Sequence, residues 1–196
     1  MNIDNQQTIL MSVENYIKGE NEQQIWEQIF ADFDKGNQLQ SYNAVITQGN
    51  ARIILDIDVD LGGGFESGFS TTIFNALLPD YPAFRFAIHK EHFMDELGKF
   101  FGMQDVVLGY KEFDEKLIIK TTDKAAVRKL FASSELRETI LSIEDFTFGI
   151  HHHNKDGIDK AYLELYIEAG ITDTLLLRKI YNAFYNVYQG LLISKE

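Results

Sequence analysis

The sequence predicts an α+β fold in one domain over residues 1–196, with a mostly antiparallel sheet built from hairpin-plus-helix units. Helices are expected on one face of that sheet, with an N-terminal helix pair over 1–38 and the sheet with its packed helices over 42–196. Three observations lead there. Apolar residues recur at helical spacing at both ends of the chain, they alternate with period two in its middle, and strand-to-helix passages succeed one another afterwards.

The first expected helix carries Ile9, Leu10, Val13, Tyr16 and Ile17, with Gly19 placed where a C-terminal cap belongs. The second carries Ile25, Trp26, Ile29, Phe30 and Phe33 and closes at Lys35-Gly36, so the two read as an antiparallel pair. From about Tyr42 the period changes. Leu55, Ile57, Val59 and Leu61 share one face of a strand, and Asp56, Asp58 and Asp60 share the other. Gly62-Gly63-Gly64 ends it, and Phe69 to Leu78 is again β-prone until Pro79-Asp80-Tyr81-Pro82 turns the chain.

Three strand-to-helix passages follow. Phe84 to His89 leads to a helix over Glu91 to Phe101, Leu117 to Lys120 to one from Lys124 to about Ile143, and Ala161 to Glu168 to one over Thr174 to Leu192. Hairpin turns are expected at Lys111–Glu115 and His153–Gly157. The frame Thr-Asp-x-x-x-x-Arg-Lys-apolar-aromatic occurs at Thr122–Phe131 and again at Thr172–Tyr181. Duplication and convergent helix-start chemistry both account for it, because an acid at a helix start caps free N–H groups and suits the helix dipole.

Composition excludes several function classes. With no cysteine there is no disulfide, thiolate metal site or cysteine nucleophile. Eighteen Lys plus Arg against thirty Asp plus Glu leave a net charge of −12 and no basic stripe, so nucleic acid is not an expected partner. No apolar run reaches the ~18 residues of a membrane span, and the first residues lack a signal-peptide pattern. The expectations are therefore no membrane partner, a cytoplasmic address and no cofactor.

Each candidate for chemistry has a plainer structural counterpart. His151 and His153 fall on one face of a strand, and Glu164 could approach across it to make a metal site, yet the run adjoins a turn where histidines are commonly solvated. Asp56, Asp58 and Asp60 could hold a hard cation, but alternation is what any strand with one wet face shows. Gly62–Gly68 lacks the Lys-Ser/Thr of a phosphate loop and reads as a hairpin connection or a recognition loop. His89 and His92 could form a general-base pair with Asp95 or Glu96 orienting them, although no nucleophile motif matches. The last helix is apolar almost all round. It is either buried between the sheet and the helix pair, or it offers Tyr181, Tyr185 and Tyr188 to a partner or a second copy.

Lys111 to Asp123, continued by Lys129-Leu130-Phe131 and Leu136 to Leu141, resembles an uncharacterised bacterial domain family. Its members often follow a Glu-Phe-Asp, strand, Thr-x-Asp, helix-with-paired-leucines course and are commonly attached to transmembrane segments. The likeness covers about a quarter of the chain, which departs from the pattern in having no transmembrane segment and an extra C-terminal hairpin and helix. The resemblance implies no activity and carries over no catalytic residues.

The functional expectation is a non-enzymatic protein-binding module with an acidic surface. Its protein partner has a basic surface as natural complement, for example a cationic target masked by an inhibitor or immunity-type protein, and homodimerisation through the last helix accompanies this reading. The alternative is a small-molecule-binding domain or enzyme with its site near Gly62–Gly68, using His89, His92, Asp58 and Asp60. Metal storage or sensing through His151 and His153 is a third reading.

Overall fold

The computed structural model describes residues 15–35, 40–59, 70–80, 82–90, 102–155 and 158–193, with the side chains of 153–155 and 158 outside that set. In chain order, β1 (Asn15–Gly19), α1 (Glu22–Phe33), β2 (Ser41–Gln48), β3 (Ala51–Val59) and β4 (Ser70–Leu77) form the first half. Then come β5 (Phe86–His89), β6 (Gln104–Asp105), α2 (Lys111–Lys116), β7 (Ile118–Thr121), α3 (Lys124–Leu130) and α4 (Ser134–Leu141). The chain continues through β8 (Phe146–Lys155), β9 (Ile158–Ile167) and α5 (Thr174–Ile193).

Among the described residues, nine strands make one sheet in the order β1-β2-β3-β4-β9-β8-β5-β7-β6. Every neighbouring pair is antiparallel except β1 with β2. The α+β class and the mostly antiparallel sheet are as the sequence predicts.

The expected N-terminal helix pair is not what residues 15–19 form. Tyr16 and Ile17 lie in β1, a strand parallel to β2, so that β1, α1 and β2 make a strand–helix–strand crossover. Gly19 is therefore not a helix cap. A Cβ there would stand 2.8 Å from Gln24 Cβ and 3.2 Å from the Ile25 backbone nitrogen, so glycine is what lets α1 fold back tightly on the strand. Residues 1–14 of the first expected helix, and the whole of Glu91 to Phe101, lie outside the described residues.

Two further expectations are corrected. Lys111–Glu115 is not a hairpin turn but most of α2, whose start is held by Asp114: its carboxylate accepts from Leu108 N–H and Gly109 N–H, both at 2.7 Å. The helix expected from Lys124 to Ile143 is two helices. Ser133 ends the continuity by capping α4 through Leu136 N–H at 3.3 Å, and Arg137 Nη1 donates to the freed carbonyls of Phe131 and Ala132 at 2.7 Å each. β8 and β9 pair and are followed by α5, as a hairpin-plus-helix unit requires, with residues 156–157 between the two strands outside the described residues. Both arms of the Thr-Asp frame do cap helices: Asp123 accepts from Ala126 N–H at 3.0 Å, and Asp173 from Leu175 and Leu176 N–H at 2.9 and 3.1 Å.

The described helices pack on one face of the sheet. Register places Ala44, Leu55, Phe74, Leu165, Phe148, Ile88 and Ile119 in one row across seven strands, all buried. Phe184 of α5 lies 5.6 Å from Phe74 and 5.9 Å from Phe148, while Phe131 after α3 meets Phe86 and Phe148. Trp26 of α1 reaches Tyr181 of α5 edge-on at 5.8 Å. Burying each such side chain is worth about 1.5–3 kcal/mol, which is why this face is spent on cohesion.

Candidate functional site

Alternation along each strand sends every second side chain to the opposite face, away from the described helices. Asn43, Asp56, Ile73, Tyr166, Thr147 and His89 form one row across it. Ile54, Asn75, Glu164, Gly149, Ala87 and Lys120 form the next. Polar groups recur where the helix-covered face has aromatic and aliphatic ones.

The carboxylates of β3 dominate one end of this face. Asp56 is half-buried and Asp58, two residues on, is exposed on the same side. Burial, with the Asp58 charge adding to it, pushes the Asp56 carboxyl above its ordinary range. Asn43, with its amide turned to face the acid, donates to both Asp56 oxygens at 3.1 Å. Further along, Asn75 Nδ2 donates to Glu164 Oε2 at 3.0 Å, and His151 Nε2 stands 3.9 Å from Glu164 Oε1. At the far edge Lys120 pairs with Asp105 at 2.6 Å.

Of the residues expected at a small-molecule site, the two that are described, His89 and Asp58, lie on strands far apart in the sheet. His89 is buried in β5, its Nδ1 donating to the Lys90 carbonyl at 2.9 Å, and Asp58 is in β3. Four strand spacings separate β3 from β5, about 19 Å at ~4.8 Å each. His92, Asp60 and the Gly62–Gly68 loop lie outside the described residues. Among the hollows of the described residues, one of about 240 Å³ lies between α2 and α4, beside Tyr110, Phe113 and Arg137, and one of about 280 Å³ lies beside Tyr16, Gln28 and Asp32. Both are below the ~300–1,000 Å³ usual for ligand pockets.

The cross-strand approach of Glu164 to His151 is present, as a diagonal contact from β9 to β8. The His153 side chain lies outside the described set, and no group of three or more metal-ligating side chains assembles among the described residues. His152, on the opposite side of β8 from His151, lies 3.7 Å from Asp159.

Of the two readings of the last helix, burial within the chain accounts for Tyr181 and Tyr188. Tyr181 is fully buried, donating from its hydroxyl to Gln48 Oε1 at 2.7 Å, and Tyr188 is buried with its hydroxyl donating to the Leu77 carbonyl at 3.2 Å. Tyr185 is half-buried and stacked on Tyr181. Apolar residues almost encircle α5 because it is enclosed by α1, α3, α4 and the sheet. Sequence reasoning placed Asp56 and Asp58 on one face but missed Asn43 and Asn75, since only strand register brings those amides to the acids.

No protein-family model matches the chain, and neither does any curated protein. Among solved structures, the crystal structure of the mycobacterial trehalose monomycolate transport factor A, TtfA, is similar with a TM-score of 0.46 and 4% identity, over 81% of this chain and 76% of that one. A likeness at this level says nothing of this chain's function. No helix among the described residues is long and apolar enough to cross a membrane.

Proposed function

We propose that this chain is a protein-binding module that docks a cationic protein surface at the β3 carboxylates, on the face of its sheet opposite the described helices. One observation carries the reading: Asp56 and Asp58 stand together on one side of β3, and Asp56 is held above its ordinary carboxyl range by burial and by its neighbour's charge. A lysine or arginine from a partner would relieve that repulsion and engage both acids. The net charge of −12 adds a long-range pull on such a partner, which raises the encounter rate more than the affinity.

The test compares the wild-type chain with the Asp56→Lys/Asp58→Lys variant, both immobilised and exposed to the same native lysate. A protein held by the wild type and released by the variant supports the reading. Identical retention by both, with the variant folded, overturns it.

A further inference from the structure

We propose that Gln24 and Gln28 act together as a side-chain strand that closes the outer edge of β1 against pairing with a second copy of this chain. Among the described residues β1 is the outermost strand at its end of the sheet. Backbone polar groups alternate sides along a strand, and an edge strand's outward set is a template for another strand. The Gly19 carbonyl is on the inner side, accepting from Gly49 N–H at 3.3 Å. Lys18 and Glu20, one residue to either side, carry outward groups.

Those outward groups are occupied by α1. Gln28 Nε2 donates to the Lys18 carbonyl at 2.8 Å, and Gln28 Oε1 accepts from Lys18 N–H at 3.4 Å. The Gln28 carboxamide thus meets both backbone groups of one residue, as the N–H and C=O of one residue in an antiparallel neighbouring strand would. Gln24 Oε1 accepts from Glu20 N–H at 2.8 Å. The spacing explains why two glutamines suffice: four helical residues rise about 6 Å and two strand residues about 6.6 Å, so positions i and i+4 of a helix keep step with alternate residues of an edge.

The guard stands on a fixed support. Ile25, Trp26 and Ile29 are fully buried from the other side of α1, Asn21 caps the helix start at 3.1 Å, and Gln28 Nε2 also donates to the Gln24 carbonyl at 2.6 Å. Tyr16, three-quarters exposed, is the outward residue of β1 that neither glutamine reaches. An unguarded edge would offer Tyr16, Lys18 and Glu20 in sequence, enough for a short antiparallel pairing of β1 with β1 about a two-fold axis.

The experiment is sedimentation equilibrium on the full chain, wild type against Gln24→Ala/Gln28→Ala. Alanine is the best helix former, so α1 is expected to persist. The expected result is self-association at least tenfold tighter than wild type, returned towards the wild-type value by adding Tyr16→Pro, which removes an outward N–H from the edge. Unchanged self-association in a folded double variant overturns the proposal. Amide exchange on the wild-type protein tests it independently of any variant. Lys18 and Glu20 N–H should exchange at least about fivefold more slowly than an unprotected amide, and random-coil rates there would overturn it.

Discussion

Asp58 lies two residues from Asp56 on the same side of β3, and its charge adds to burial in raising the Asp56 carboxyl. The native state therefore holds a proton at Asp56 to a higher pH than the unfolded chain does. By linkage, stability is lost as pH rises from the unfolded carboxyl range through the folded one, and returns on acidification through that window.

Asp56→Asn removes this slope while leaving an amide for Asn43 to bond. Asp56 is only half-buried, so solvent screening limits the gain to about 0.5 kcal/mol at about pH 7, vanishing below about pH 3.5. Urea unfolding at both pH values measures it. An asparagine variant less stable than wild type at neutral pH contradicts the electrostatic account of this face.

Gly149→Ala should be among the more damaging single changes on the same face. The added Cβ would stand 2.5 Å from the Phe86 carbonyl oxygen and 3.0 Å from Ala87 Cα, both backbone atoms of β5 that cannot swing aside. Overpacking of this kind costs about 1–3 kcal/mol. The thermal midpoint checks it, and a shift equivalent to under about 0.5 kcal/mol would mean that β5 has room to move away from β8.

Tyr181→Phe removes the hydroxyl that α5 gives to Gln48 at the end of β2. Gln48 Oε1 then loses its buried donor, at a cost of about 1–2 kcal/mol. Chemical denaturation with unchanged denaturant slope checks this prediction. A neutral result would show that Gln48 finds another partner.

The contrast between β3 and β1 shows what the sequence made legible. Leu55, Ile57 and Val59 alternate with Asp56 and Asp58, so the strand, its length and its two faces can be written down from the residues. Tyr16 and Ile17 belong to a five-residue strand too short to reveal a period, and the helical spacing of Ile9 to Ile17 overrode it. Gly19 fitted a helix cap equally well, since its real role is a close approach to Gln24 that only the fold creates. Ser133 is a legible signal: a serine followed by Ser134-Glu135 marks a helix start, and there one helix ends and another begins. The candidate site was half legible. Alternation put two acids on one face, but the Asn43 and Asn75 amides are 13 and 89 residues distant in sequence from the acids they bond, and only register joins them.

The most direct test of the account is the association rate between this chain and the protein it retains from lysate, followed in low and in near-physiological salt. Docking at the β3 carboxylates predicts a rate that falls by about tenfold or more on raising the salt, and falls again for Asp56→Lys/Asp58→Lys at either salt. A rate indifferent both to salt and to the reversal of those two charges would contradict it.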